Sequence, residues 1–211
     1  MKNTALFLSL LIFTVFSCKK DGNLQFAING TVTDESFNTG LANATVIVYE
    51  KPIANFNYQE IGRVTTDSEG KYSISFPRNR VENYKVVIQK DHYFDKEYQI
   101  LYSALDPKKS IEYNFGTTAY SWVKIHLKNV DEVNDYDDFI YKKTQGKADC
   151  AACCPTGEAL HFYGATDTVF YCMTDGNKPF AYFYELGNTA LIGTMQQNTV
   201  AFDTITLVTE Y

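Results

Sequence analysis

The chain has 211 residues, with 19 Lys and Arg against 25 Asp and Glu and a formal net charge of −6. No basic stripe is present to neutralise phosphates, which argues against nucleic acid as a partner. Aromatic residues make up 15% of the chain, 16 Tyr and 15 Phe with a single Trp, a composition that suits pleated surfaces wet on one side and apolar on the other, and the length fits two small domains better than one large one.

The amino terminus carries one positive group, Lys2, then a mainly apolar run from Ala5 to Phe16, then Val15-Phe16-Ser17-Cys18. The run is too short to cross a bilayer as a mature helix. A small residue placed directly before a cysteine at the end of such a run resembles a bacterial lipoprotein signal, although Phe16 departs from the small residue usual at its position. The resemblance implies that residues 1–17 are a cleaved signal peptide, that the Cys18 thiol is acylated, and that the mature protein is membrane-anchored. Anchoring by one acyl chain is marginal, and a second or third would make it firm. Residues 18–25 are polar and aperiodic, a tether. Lys20-Asp21 resembles the charged, partly acidic start of lipoproteins sent to the outer membrane and the cell surface.

In the first half, Phe26, Ile28 and Thr31 to Thr33 form a strand ending at Asp34, and the turn-forming residues Glu35 to Gly40 form a loop. Ala42 to Tyr49 is a second strand, with Ala44, Val46 and Val48 on one face. A third runs from Tyr58 to Thr66. Thr66-Asp67-Ser68-Glu69-Gly70 then makes a tight turn, because Asp bonds its own backbone two residues on and Gly admits positive φ. The strand answering it, Lys71 to Phe76, alternates Tyr72, Ile74 and Phe76 and stops at Pro77. Tyr84 to Gln89, Tyr98 to Tyr102 and Ser110 to Phe115 complete seven strands. No helical-period segment long enough for a crossover intervenes, so the pattern predicts a sandwich.

Three blocks carry a second resemblance: Gly30-Thr31-Val32-Thr33-Asp34, Gly40-Leu41-Ala42-Asn43-Ala44-Thr45-Val46, and Thr66-Asp67 with Gly70-Lys71-Tyr72. Together they are similar to the carboxypeptidase regulatory-like, transthyretin-related β-sandwich, which implies a non-catalytic module and brings no substrate with it. Each block also has a local cause. Gly30 admits a bend or a close backbone approach, Ala42 and Ala44 let sheets approach, and the Asp67–Gly70 turn fixes hairpin register.

Tyr120 to Leu127 alternates cleanly, Trp122, Lys124 and His126 on one face and Val123, Ile125 and Leu127 on the other. Leu160 to Tyr163, Thr168 to Met173, Phe180 to Glu185, Ala190 to Met195 and Thr204 to Thr209 follow as strands. The expected architecture is all-β: two antiparallel β-sandwich domains, residues 26–116 and 117–211, after the signal peptide and tether.

Cys150, Cys153, Cys154 and Cys172 follow Cys18 in a chain read as exported, so disulfides are the first expectation. A Cys153–Cys154 bond would need a strained eight-membered ring. Two pairings remain, Cys150 with Cys153 and Cys154 with Cys172, or Cys150 with Cys154 and Cys153 with Cys172. A bridge to Cys172 would close roughly 20 residues and contribute about 3 kcal/mol. Cys150-x-x-Cys153 has the spacing of a thiol redox centre but lacks the helix amino terminus that such a centre uses. The cluster lacks the separated Cys-x-x-Cys hairpins of a zinc site, His161 notwithstanding.

Asp131-Glu132-Val133-Asn134-Asp135-Tyr136-Asp137-Asp138 supplies oxygens but neither the spacing nor the Gly of a helix-loop-helix calcium site, and reads as a solvated loop. Asp67 and Glu69 are explained by their turn. His92, His126 and His161 are scattered, and no hydrolase or metallopeptidase motif occurs. No catalytic residue, metal ligand or cofactor is nominated. Tyr58, Trp122, Tyr163, Tyr182 and Tyr184 are candidates for an aromatic platform, with Trp122 and Tyr163 the ligand-binding candidates. The expected function is binding or scaffolding in the cell envelope, with the membrane as one partner through the lipid and an envelope protein or glycan as the other. The rival is an envelope enzyme, either a thiol oxidoreductase using Cys150 and Cys153 or a hydrolase with unrecognised carboxylates.

Overall fold

The computed structural model describes residues 24–53, 57–130, 137–187 and 191–211. Cys18, with the signal and tether expected before residue 24, lies outside these residues, as do Asp131 to Tyr136 of the acidic run and Ala190. The elements of the first half are β1 (Gln25–Asp34), β2 (Thr39–Gly40), β3 (Thr45–Pro52), β4 (Gln59–Thr65), β5 (Lys71–Pro77), β6 (Val81–Gln89), β7 (Lys96–Leu101), β8 (Ile111–Glu112) and β9 (Phe115–Thr117). Those of the second are β10 (Tyr120–Lys128), β11 (Asp138–Gln145), β12 (Ala159–Tyr163), β13 (Asp167–Asp175), β14 (Pro179–Leu186), β15 (Ile192–Asn198) and β16 (Thr204–Glu210).

Each half is a two-sheet sandwich with its own core. In the first, β4-β3-β6-β7 faces a sheet built around β1, which pairs with β5 over its first half and with β2 over its last residues. Period-two alternation delivers the core. Tyr72, Ile74 and Phe76 of β5 point inward, meeting Val46 and Val48 of β3 and Tyr84, Val86 and Ile88 of β6 around Phe26. Gly30 is the close approach expected of it: a Cβ there would lie 1.9 Å from the Tyr113 carbonyl oxygen. In the second sandwich, β13-β10-β16 faces β12-β11-β14-β15. Val123, Ile125 and Leu127 of β10 pack on Phe139, Tyr141, Phe180 and Tyr182.

Three expectations are corrected. The Asp67–Gly70 turn is not a hairpin. Its chemistry is as read, with Asp67 Oδ1 accepting from the Glu69 and Lys71 amides at 3.0 and 2.8 Å and Gly70 at φ +77°. Yet β4 and β5 belong to opposing sheets, so the turn is an arch between layers. Thr66 anchors its entry, donating to the Leu41 carbonyl at 2.6 Å and accepting from the Ala44 amide at 2.9 Å. Turn chemistry is local, and whether two strands pair or part depends on where their apolar faces are buried.

Nor are the sheets purely antiparallel. β8 and β9 run parallel to β1, and β16 runs parallel to β10. These partners meet only after the chain has crossed the sandwich, which a reading of consecutive strands does not capture. Finally, β11 has no counterpart among the expected strands. Phe139 and Tyr141 face inward as alternation requires, but the third inward residue is Lys143, a cation in a core position that masks the strand.

The sandwiches are not joined by a spacer. β9 ends at Thr117 and β10 begins at Tyr120, and the residues between bond directly to the first sandwich. The Phe94 amide donates to the Thr118 carbonyl at 3.0 Å, and the Tyr120 amide to the His92 carbonyl at 2.8 Å.

Candidate functional site

The four cysteines form Cys150–Cys153 and Cys154–Cys172, one of the two pairings left open by the sequence. The second bridge ties the segment after β11, in one sheet, to β13 in the other, and so staples the layers. The loop between them covers the edge of β13, since the Met173 amide donates to the Ala152 carbonyl at 2.7 Å, leaving less unpaired strand exposed. Beneath it the fully buried Lys143 ammonium donates to the carbonyls of Lys147, Cys153 and Cys154, the last two at 2.5 and 2.6 Å. Each of its three protons has an acceptor. Burial pushes the amine down to about 8, while Asp149 and Asp175 pull the other way. The sole helical element among the described residues is the turn Tyr102–Ala104, so Cys150 and Cys153 do not stand at the helix amino terminus that a thiol redox centre uses.

The aromatic platform does not assemble. Tyr182 is fully buried with its hydroxyl on Thr209 at 2.5 Å, and Tyr184 stacks on Phe139 inside the second sandwich. The Tyr58 ring lies under the Lys85 ammonium at 4.6 Å in the first sandwich. Trp122 is half-buried on the outer face of the three-stranded sheet, opposite Met173 and Thr204. Tyr163 is 61% exposed on the edge strand β12 of the other sheet, stacked on His161. The two ligand-binding candidates therefore belong to separate surfaces. His126 is hydrogen-bonded to Asp167 at 2.6 Å and His161 to both oxygens of Asp138 at 3.0 Å. Among the described residues no group of three or more His, Cys, Asp or Glu is placed to hold a metal ion.

What the fold does bring together is the junction of the sandwiches. At its centre Ser36 Oγ accepts the Ala119 amide at 2.9 Å and the Ser36 carbonyl accepts Asn177 Nδ2 at 3.1 Å. Asn177 Oδ1 in turn accepts the Ala201 amide at 3.1 Å. The Tyr93 hydroxyl donates to the buried Asp34 carboxylate at 2.6 Å. Beside this network Lys147 of the disulfide loop pairs with Asp149 at 2.7 Å and holds its ammonium 4.6 Å from the centre of the Phe94 ring, which meets Tyr120 edge-on.

Next to this junction an open cleft of about 630 Å³ is walled by Asn43, Gln89, Asp91, His92, Asp95 and Tyr120. Asp95 Oδ2 accepts from Gln89 Nε2 at 2.7 Å. Phe202 of the β15–β16 turn, which touches two residues of the cleft's lining, His92 and Tyr93, stacks on Phe37 of the β1–β2 turn in the other sandwich, 6.0 Å apart with planes 19° from parallel. Tyr93 and His92 meet Phe202 edge-on. Both Phe202 and His92 have left-handed backbones, φ +66° and +67°, a conformation uncommon for a non-glycine residue and a true outlier for a bulky one.

Reading the sequence missed Phe37, inside the loop expected over Glu35 to Gly40, and Phe202, between the strands expected at Ala190 to Met195 and Thr204 to Thr209. The signal available was a lone Phe in each connecting segment.

No family model matches the sequence, and no curated protein matches it. Among solved structures, the Bacillus anthracis TIE protein is similar at 14% identity and a TM-score of 0.38, over 89% of this chain and 34% of that one. The minor pilin GBS52 of Streptococcus agalactiae is similar at 9% identity and 0.36, over 87% and 94%. The shaft pilin spaA of Lactobacillus rhamnosus GG is similar at 8% identity and 0.34, over 89% and 97%. The chain thus spans about a third of the TIE protein chain. All three scores are low, so the fold and the site rest on this chain's own geometry.

Proposed function

We propose that this chain is a lipid-anchored protein of the cell envelope, fastened through an acylated Cys18 and the tether of residues 18–25, that works by binding and not by catalysis. The observation that carries the binding half is the sandwich junction: a polar cleft with an exposed aromatic pair, at the point where hydrogen bonds from Ser36 and Asn177 hold the two sandwiches together. A surface recognises a ligand with least entropic cost when its parts are held in place beforehand. The disulfide staple supports the same reading, because a display module outside the cell must resist unfolding without a large core. The anchoring half is supported by the sequence of residues 1–18. Display on the outer membrane, facing outward, is the placement that Lys20-Asp21 favours.

Radiolabelled palmitate supplied to cells producing the full chain tests the anchor. The wild type should carry label and Cys18→Ala should not. An unlabelled wild type would refute it. Protease added to intact cells tests the display, which requires that the protein be cut.

A further inference from the structure

Phe202 is in the wrong place for a residue that serves only the fold. Phe202 is 53% exposed and Phe37 49%, so each forfeits a large part of what burying a phenylalanine would gain. The left-handed backbone of Phe202 carries a steric cost that Gly avoids. The structural task at that corner, an amide donating to the Tyr120 carbonyl at 2.7 Å, needs no side chain. Gly or Asn would do it at less cost. His92, also left-handed, meets the same ring and lines the adjoining cleft. Strained residues that give up much of their burial gather where a ligand repays them.

We propose that the junction is a binding site for an uncharged saccharide, with Phe37 and Phe202 stacking on the C–H face of a sugar ring and Asn43, Asp91 and Asp95 taking its hydroxyls in the cleft. This rests on the binding reading above and adds the ligand class. A sugar ring has one apolar face and a rim of hydroxyls, and the site has the complement: flat rings beside carboxylates and an amide. The cleft, about 630 Å³, is within the span of about 300–1,000 Å³ usual for small-ligand sites. Anionic ligands are disfavoured because the carboxylates of Asp91 and Asp95 outnumber the Lys90 ammonium in the lining. Cationic ligands are disfavoured because the protein's own Lys90 already lies over the Tyr93 ring, its Nζ 5.4 Å from the centroid and bonded to the Ala42 carbonyl at 2.5 Å.

The test is titration calorimetry of the full chain in detergent micelles with cellobiose, maltose, laminaribiose and chitobiose, run on wild type, Phe37→Ala and Phe202→Gly. At least one disaccharide should bind the wild type. Both substitutions should weaken it tenfold or more, with the thermal midpoint of Phe202→Gly equal to or above that of wild type, the signature of a residue kept for function against stability. Failure of all four sugars to bind, or a Phe202→Gly chain that melts lower and binds normally, overturns the saccharide site and leaves the anchored, binding reading standing. Release of monosaccharide during the titration would support the site and overturn the non-catalytic reading instead.

Discussion

Tyr93 and Asp34 join the end of β1 to the segment before β7 through one short hydrogen bond, 2.6 Å from hydroxyl to carboxylate, at the place where the second sandwich begins. Asp34 is buried and also accepts the Ser36 amide at 2.9 Å, so the carboxylate orders the turn that carries Phe37. Tyr93→Phe removes the hydroxyl and leaves a buried charge short of a donor. Hydrogen bonds to charged groups contribute about 1.5–3 kcal/mol, which for a chain of this size lowers the midpoint by about 3–12 °C. Calorimetry reads this directly, and an unchanged midpoint would mean that water replaces the phenol.

The tyrosines set an alkaline limit. Burial pushes Tyr84 up to about 12 and raises Tyr72, Tyr93 and Tyr141 further above their ordinary value of 10, Tyr93 with help from the Asp34 carboxylate that its hydroxyl faces. Their folded values exceed their unfolded ones. The stability that they contribute is therefore complete below pH 10 and is lost as pH rises beyond it, where the unfolded chain gives up protons that the native chain still holds. Absorbance at the tyrosinate band should rise in a cooperative step above about pH 11 that coincides with loss of the strand circular-dichroism signal. A gradual rise with the fold intact would refute this.

The two disulfides differ in what they close. Cys154–Cys172 spans a sequence separation of 18 and crosses between sheets, whereas Cys150–Cys153 spans 3 within one loop. Chain entropy assigns the first about 3 kcal/mol and the second about 2 kcal/mol. Replacing Cys154 and Cys172 by Ser should lower the urea midpoint more than replacing Cys150 and Cys153, and should also free the loop that covers β13. The opposite order would show that the loop's own shape, held by the short bridge, matters more than the staple.

Much of the fold is written in period two. Val123, Ile125 and Leu127 against Trp122, Lys124 and His126, or Tyr72, Ile74 and Phe76 along β5, assign both strand and face without further help. What the sequence withholds is non-local. Asp67 and Gly70 make the same turn whether β4 and β5 pair or part, and nothing near β10 announces that β16 will lie beside it in parallel. The site is withheld for the same reason. Phe37, His92 and Phe202 come from three separate turns, and their value lies in a backbone conformation and a proximity that only the folded chain has.

Lys143 hid β11 and also gives a prediction with a sign. Its amine titrates at about 8 in the folded chain against an ordinary value of 10.5, because burial penalises the ammonium. With the folded value below the unfolded one, the unfolded chain binds a proton that the native chain lacks between those limits. Stability should thus rise with pH from about 8, until tyrosine ionisation reverses it above about 10. In Lys143→Met that rising limb disappears. At pH 7 the same substitution should cost about 1–3 kcal/mol, because the carbonyls of Lys147, Cys153 and Cys154 lose their shared donor beneath a loop that the disulfides prevent from opening. Urea midpoints of both proteins at pH 7 and pH 9.5 decide it: wild type should gain over that interval and the variant should not. A wild type that weakens between those values would mean that the carbonyl cage holds the proton more tightly than burial expels it.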